Sequence, residues 1–122
     1  MVEVNNTPVS LPPSVDMGGM CEIAWSGLST GDTGQRTSLA RLADRTIEVG
    51  GTFGGATVLI QGSLRTDPQE SEWLTLVDSG GMPLSFTSAG IQAVMQQTLY
   101  IRPKVVGGTG TSIDVFLLGR RY

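Results

Sequence analysis

Among its 122 residues this chain has no histidine, a single cysteine and a single lysine. Without histidine the commonest general base and metal ligand is gone. Ser-His-Asp and Cys-His arrangements are therefore excluded, and so are histidine-based zinc sites. One cysteine, Cys21, permits neither an intrachain disulfide nor a multi-cysteine metal site. It falls in an alternating stretch and reads as a small buried hydrophobe. Charge is scarce too, with Asp, Glu, Lys and Arg at 16% of the chain, against a usual share of about 25%. The eight basic residues are scattered and the net charge is −3. No basic stripe exists to neutralise phosphates, so no nucleic-acid partner is expected. No apolar run approaches the roughly 20 residues that span a bilayer, so no membrane partner is expected either. The N-terminus lacks a basic region followed by an apolar run, and the expectation is a protein made in a cytoplasm.

What the chain has instead is glycine, 17 residues of it, and short alternating apolar runs. The length suits one domain with one core. A small protein with so few charges has a thinly protected surface, and the expectation is that partners cover it, oligomerisation first. Seven of the eight basic residues are arginine, which suits planar pairing at protein interfaces, although genome bias would produce the same excess.

Strand signals begin at Met20. Cys21, Ile23 and Trp25 alternate with Glu22, Ala24 and Ser26, which places three apolar side chains on one face. Residues 29–34 are a loop by composition. Leu39, Leu42 and Ala43 fit either one helical turn or a loop packing inward. A short strand follows over residues 46–49, with Ile47 and Val49 facing the core. The Gly50-Gly51 and Gly54-Gly55 pairs bracket Thr52-Phe53 and mark a turn or bulge. Residues 56–63 give the strongest strand, with Ala56, Val58, Ile60 and Gly62 on one face. This region and the strand from Trp73 read as a β-meander. Residues 64–71 form a polar loop, and residues 78–81 a turn. Leu84 and Phe86 alternate with Ser85 and Thr87. Ser88 to Met95 has the spacing of a helical turn, with Ser88 capping and Ile91, Val94 and Met95 inward. Residues 99–106 and 112–118 read as a hairpin across Gly107-Gly108-Thr109-Gly110, with the missing donor of Pro103 facing an edge or bulge. Seven or eight short strands with frequent turns predict an all-β chain. The predicted fold is an antiparallel β-sandwich, jelly-roll-like, with a small β-barrel as the alternative. Trp25, Phe53 and Trp73 are assigned to the core.

Residues 1–19 stand apart from the domain predicted over residues 20–122. They carry three of the six prolines, namely Pro8, Pro12 and Pro13, and show no helical period. An extended, partly polyproline-like N-terminal arm is predicted. It is either a disordered tail or an arm laid across a neighbouring subunit. In the second case Val2, Val4, Val9 and Leu11 are the candidate protein-interface residues, with Pro12 and Pro13 stiffening the arm.

No catalytic or metal-binding residues and no cofactor are predicted. The glycine pairs are followed by no Gly-Lys-Ser/Thr, so they do not make a phosphate loop. The eleven acids sit mostly in loops or alternate with core positions, as solvated charges do. One tripeptide, Asp32-Thr33-Gly34, matches the Asp-Thr-Gly of retroviral-type aspartic proteases, in which two aspartates share a proton. Three mismatches count against that reading. Thr30-Gly31 precedes Asp32 where an apolar strand belongs, Gln35 follows where a small residue belongs, and the given sequence ends soon after Gly119-Arg120. A carbohydrate-binding sandwich would need exposed aromatic residues, and the seven present mostly have core positions.

Several segments stand in order along the chain. They are Gly51-Thr52-Phe53-Gly54-Gly55-Ala56-Thr57-Val58, Gln61-Gly62-Ser63, Trp73-Leu74-Thr75-Leu76, Tyr100-Ile101-Arg102-Pro103 and Gly107-Gly108-Thr109-Gly110-Thr111-Ser112. Upstream, Trp25-Ser26-Gly27-Leu28 and Gly31-Asp32-Thr33-Gly34 join the series. In this series the chain resembles small structural proteins of tailed bacteriophages. One departure is Leu64-Arg65, which opens a longer loop where the family pattern has Asn-Asp. The resemblance implies a virion component, and among these a capsid decoration (cement) protein. Such a protein is small, often a homotrimer, and clamps the major capsid protein from outside. A head-fibre or tail structural protein is the alternative, although the chain shows neither heptads nor a fibrous repeat.

Overall fold

A computed structural model describes residues 9–10, 20–38 and 42–121. Val2, Val4, Leu11, Pro12, Pro13 and Leu39 lie outside the described residues, as do the side chains of Val9 and Cys21. Among the described residues the strands in chain order are β1 (Val9–Ser10), β2 (Met20–Leu28), β3 (Thr37–Ser38), β4 (Leu42–Thr52) and β5 (Thr57–Ser63), then β6 (Leu74–Thr75), β7 (Ser85–Phe86), β8 (Gly90–Ala93), β9 (Tyr100–Val106) and β10 (Ser112–Arg121). They form two antiparallel sheets. The first runs β1-β2-β10-β4-β8; the second runs β3-β9-β5-β6, with β7 sharing the β6 side of β5.

The pairs nest: β2 with β10, β3 with β9, β4 with β8, and β5 with β6 and β7. One long antiparallel ribbon has wrapped so that the chain alternates between the sheets from β2 to β5 and from β7 to β10, with β5, β6 and β7 together in the second sheet. That is a jelly roll, and both sheets stay open, which sets the barrel aside. The nesting also corrects two expectations. β9 and β10 do not form a hairpin, because β9 pairs with β3 and β5 while β10 pairs with β2 and β4. Likewise β4 and β5 lie in different sheets, so only the β5–β6 step of the expected meander exists.

The glycine turns explain the difference, because they make arches between sheets. At Gly54, φ is +57° and a Cβ would stand 2.0 Å from the Thr109 carbonyl oxygen. The Thr109 N–H donates to the Gly54 carbonyl at 2.9 Å, and Thr111 Oγ1 donates to the Phe53 carbonyl at 2.9 Å. The two arches, over residues 53–56 and 107–111, therefore lock together and need a residue without a side chain at the contact.

Alternation fills the space between the sheets with Trp25, Ile47, Ile60, Ile101, Val105 and Leu117, all fully buried. Two bulges tune which residues face inward. On β2, three residues span two of β10 between the pairs Ile113↔Leu28 and Val115↔Trp25. Gly27 takes φ +67° there, and its N–H donates to Asp114 Oδ1 at 3.0 Å. On β4 the same step falls between Leu118↔Thr46 and Arg120↔Ala43, with Asp44 at φ +50°. Arg120 donates to Asp44 Oδ2 through Nε at 3.0 Å and Nη2 at 2.7 Å. A bulge shifts the face by one residue, so Trp25 and Leu28 both point inward, as do Leu42 and Arg45.

Residues 88–95 correct a third expectation. The spacing of Ile91, Val94 and Met95 mimics a helical face, yet residues 90–93 pair with β4 as an edge strand. Val94 is buried, whereas Ile91 is 62% and Met95 57% exposed. The unpaired ladder groups of β4 take up this segment, and its weak helical period does not compete. Leu42 and Ala43 open β4, which is longer than expected.

Candidate interaction surface

The outer faces of the two sheets differ in kind. On the second sheet, Gln61 and Arg102 are paired residues of β5 and β9 and point away from the core. The chain covers them with its own loop 64–73. Arg102 Nε donates to Gln61 Oε1 at 3.0 Å, and its Nη2 donates to Glu70 Oε2 at 2.6 Å. The guanidinium lies over the Trp73 ring, 4.1 Å from its centroid. Lys104 Nζ approaches the same Glu70 oxygen at 3.8 Å. The Tyr100 and Trp73 rings are tilted with centroids 6.5 Å apart, and the Arg36 guanidinium lies over the Tyr100 ring at 5.0 Å. The result is a closed polar-aromatic layer. The hydrogen bond from Arg102 holds the Glu70 carboxyl below the ordinary carboxylate range, against an opposing effect of partial burial.

Trp25 and Trp73 are buried as expected, and Phe53 packs partly buried against the core. Trp73 nevertheless lies outside the sandwich core, under the loop. The sequence offered little warning of Arg102. Its one cue was a cation between Ile101 and Pro103, with acids in the loop upstream to receive it.

The first sheet has no such cover among the described residues. One row across it runs from Ala24 through Phe116 and Glu48 to Ile91, and the next from Glu22 through Leu118 and Thr46 to Ala93. These positions alternate with buried neighbours and so face outward. Ile91 and Leu118 are exposed, and Phe116 is half-buried. At one end of the rows the arm enters: β1 pairs Val9 with Ala24 and Ser10 with Ile23. Of the six candidate interface residues, Val9 is thus placed at the edge of the apolar face. At the other end lies β8.

A cleft of about 700 Å³ opens beside β6, lined in part by Ser63, Leu64, Leu74 and Thr98. Arg65 and Glu72, 3.4 Å apart, are also among its lining residues. It holds no cluster of titratable groups aimed at one point. Asp32 accepts the Ser29 N–H at 2.8 Å and closes a turn, while the buried Thr33 bridges to Lys104. Asp78 accepts from the N–H groups of Gly80 and Met82 at 2.8 and 3.0 Å. These carboxylates are committed to turns and bulges. Among the described residues no three His, Cys, Asp or Glu side chains are grouped to hold a metal ion. No helix there is long and apolar enough to cross a membrane. The chain matches no family model, and neither the curated proteins nor the solved structures give a significant match.

Proposed function

We propose that this chain is a capsid decoration (cement) protein of a tailed bacteriophage, which binds the outer surface of the assembled head and stabilises contacts between major capsid subunits. One observation carries this reading. Loop 64–73 packs over Gln61 and Arg102 on the outer face of the second sheet, whereas among the described residues nothing covers Phe116, Leu118 and Ile91 on the outer face of the first, beside β1. The face sets Phe116, Leu118 and Ile91 among Glu22, Glu48 and Thr46, and large apolar side chains exposed together with a polar surround mark a protein-interaction surface. The resemblance of the ordered segments to those of phage structural proteins supports the major capsid protein as the class of partner.

The mechanism is linkage. A protein that binds only the assembled, expanded shell raises the free energy of dismantling it by mass action. Three sheets held in a homotrimer, each with an arm through Val2, Val4, Val9 and Leu11, multiply weak contacts into avidity. Pro12 and Pro13 limit the freedom lost when the arm docks.

The test is co-sedimentation with undecorated, expanded heads of the phage that encodes the chain. The full chain is expected to pellet with heads, and removal of residues 2–15 or the change Phe116→Glu to weaken this. A full chain indifferent to such heads overturns the proposal.

A further inference from the structure

We infer that the free edge of β8 is a self-pairing interface, at which a second copy of this chain adds its own β8 antiparallel and joins two five-stranded sheets into one. The inference goes beyond the reading as a decoration protein and does not rest on it.

β8 ends the first sheet, with β4 on one side and, among the described residues, no strand on the other. The Val94 N–H donates to the Arg45 carbonyl at 3.0 Å, and Val94 follows directly on the pair Thr46↔Ala93. In an antiparallel ladder, bonded and non-bonded pairs alternate. Gln92, opposite Ile47, is therefore bonded toward β4, while the N–H and C=O groups of Ile91 and Ala93 point away from it. That row of donors and acceptors fits an extended strand, and little else satisfies it.

The chemistry of the edge selects a copy of itself. Sheet edges are normally protected by lysine, proline or an inward charge, and Gly90-Ile91-Gln92-Ala93 has none of these. The whole stretch 79–101 is free of charged residues, in a chain of net charge −3. A two-fold axis brings each residue near its own counterpart, so any charge there would repel itself. The nearest acid, Glu48, lies one strand in, on the pair Glu48↔Ile91. Across the joined sheets it would stand about 16 Å from its counterpart, three strand spacings across and two residues along. That exceeds the screening length of about 8 Å at physiological salt.

The register follows. With the axis at Gln92, the two Gln92 residues face each other as a non-bonded pair. Ile91 then exchanges both of its backbone bonds with Ala93 of the second copy, and Ala93 with Ile91. The exposed Ile91 covers Ala93 of the other copy on the outer face, which extends the apolar rows across the junction.

This register is read directly by cysteine pairing in a Cys21→Ala background. Non-bonded antiparallel pairs bring Cα atoms to about 4.5 Å, within disulfide range. Gln92→Cys is expected to oxidise to a disulfide-linked dimer at least tenfold faster than Ile91→Cys, which would face Ala93. Equal rates at the two positions, or no dimer from Gln92→Cys, overturn the inference. Ala93→Pro removes only an outward N–H, and Ile91→Lys places a charge beside the axis. Each is expected to keep the circular dichroism of the parent and to abolish concentration-dependent association in sedimentation velocity beyond the unit held by the arm. Association unchanged in both folded variants also overturns it. Binding to phage heads is a separate readout, so failure here leaves the decoration reading standing and the converse also holds.

Discussion

The Arg102 guanidinium lies 4.1 Å from the centre of the Trp73 ring, on the side of the second sheet that faces away from the core. Trp73 is thereby buried without belonging to the sandwich interior. This contact distinguishes the two outer faces. On the second sheet Arg102 is held within the chain by Gln61, Glu70 and Trp73. Among the described residues the other sheet has β1 at one edge, β8 at the opposite edge, and rows between them that carry Phe116, Leu118 and Ile91. Exposed apolar side chains also stand beside the second sheet, at Leu64 and Leu74, so the two faces differ in the closed Arg102 layer and not in apolar exposure as such.

Replacing Arg102 tests how far the loop depends on that contact. Arg102→Ala strips the partner from Gln61 and Glu70 and uncovers the Trp73 face. The expected loss is about 2–4 kcal/mol, in the range for a buried charged network. Arg102→Lys keeps the charge and loses the planar fork, and should fall between the two. Arg65→Ala is the control, since its pair with Glu72 is exposed at 3.4 Å, and should move stability by no more than about 0.5 kcal/mol. Urea titration reads all three. An Arg102→Ala midpoint equal to that of Arg65→Ala would show the layer to be ornamental.

The same layer predicts a dependence on pH. Arg102 holds the folded Glu70 carboxyl below its ordinary value, and the Lys104 charge adds to this. A lowered folded value means the unfolded chain takes up the proton first as pH falls. The stabilisation is complete above the ordinary carboxylate range, near about 4.3, and is lost as pH drops through the folded value. Urea midpoints should therefore decline between about pH 5 and pH 3, and the decline should be shallower in Glu70→Gln. Parallel declines in parent and variant would assign the acid sensitivity to other carboxylates.

Much of the fold was legible because alternation is a local signal. Ile47 and Val49, Val58 and Ile60, and Leu84 and Phe86 all face inward as their spacing required. Which strand pairs with which is not local, and there the glycine turns misled: a turn that could close a hairpin can equally arch between sheets. The face shifts at Gly27 and Asp44 were hidden for the same reason, since a bulge exists only relative to its neighbour β10. β8 was disguised by apolar residues at helical spacing, two of which turn out to be exposed. Of the candidate interface, the sequence suggests an arm through its prolines and isolated valines, of which only Val9–Ser10 is among the described residues. It missed the apolar rows beside it, because Phe116 and Leu118 alternate with equally apolar core residues.

Gly34 gives the sharpest test of the packing, and it sits in the tripeptide that resembled a protease motif. A Cβ there would lie 2.7 Å from Pro103 Cγ and 2.8 Å from Trp25 Cδ1. The Gly34 N–H also donates to the Pro103 carbonyl at 2.8 Å, and the Trp25 indole N–H donates to the Gln35 carbonyl at 2.7 Å. The loop thus lies on β9 where Pro103 offers no N–H, and the contact is tight enough to admit only hydrogen. Gly34→Ala must push apart a proline ring and a fully buried indole, at an expected cost of about 1–3 kcal/mol. Gly50→Ala is the matched control, with nothing within 4 Å of the added carbon, and should stay within about 0.5 kcal/mol of the parent. Paired thermal and urea unfolding of the two variants, with tryptophan fluorescence reporting on Trp25, decides the matter. A Gly34→Ala protein as stable as Gly50→Ala would mean that residues 32–35 serve something other than closing the sandwich over Trp25.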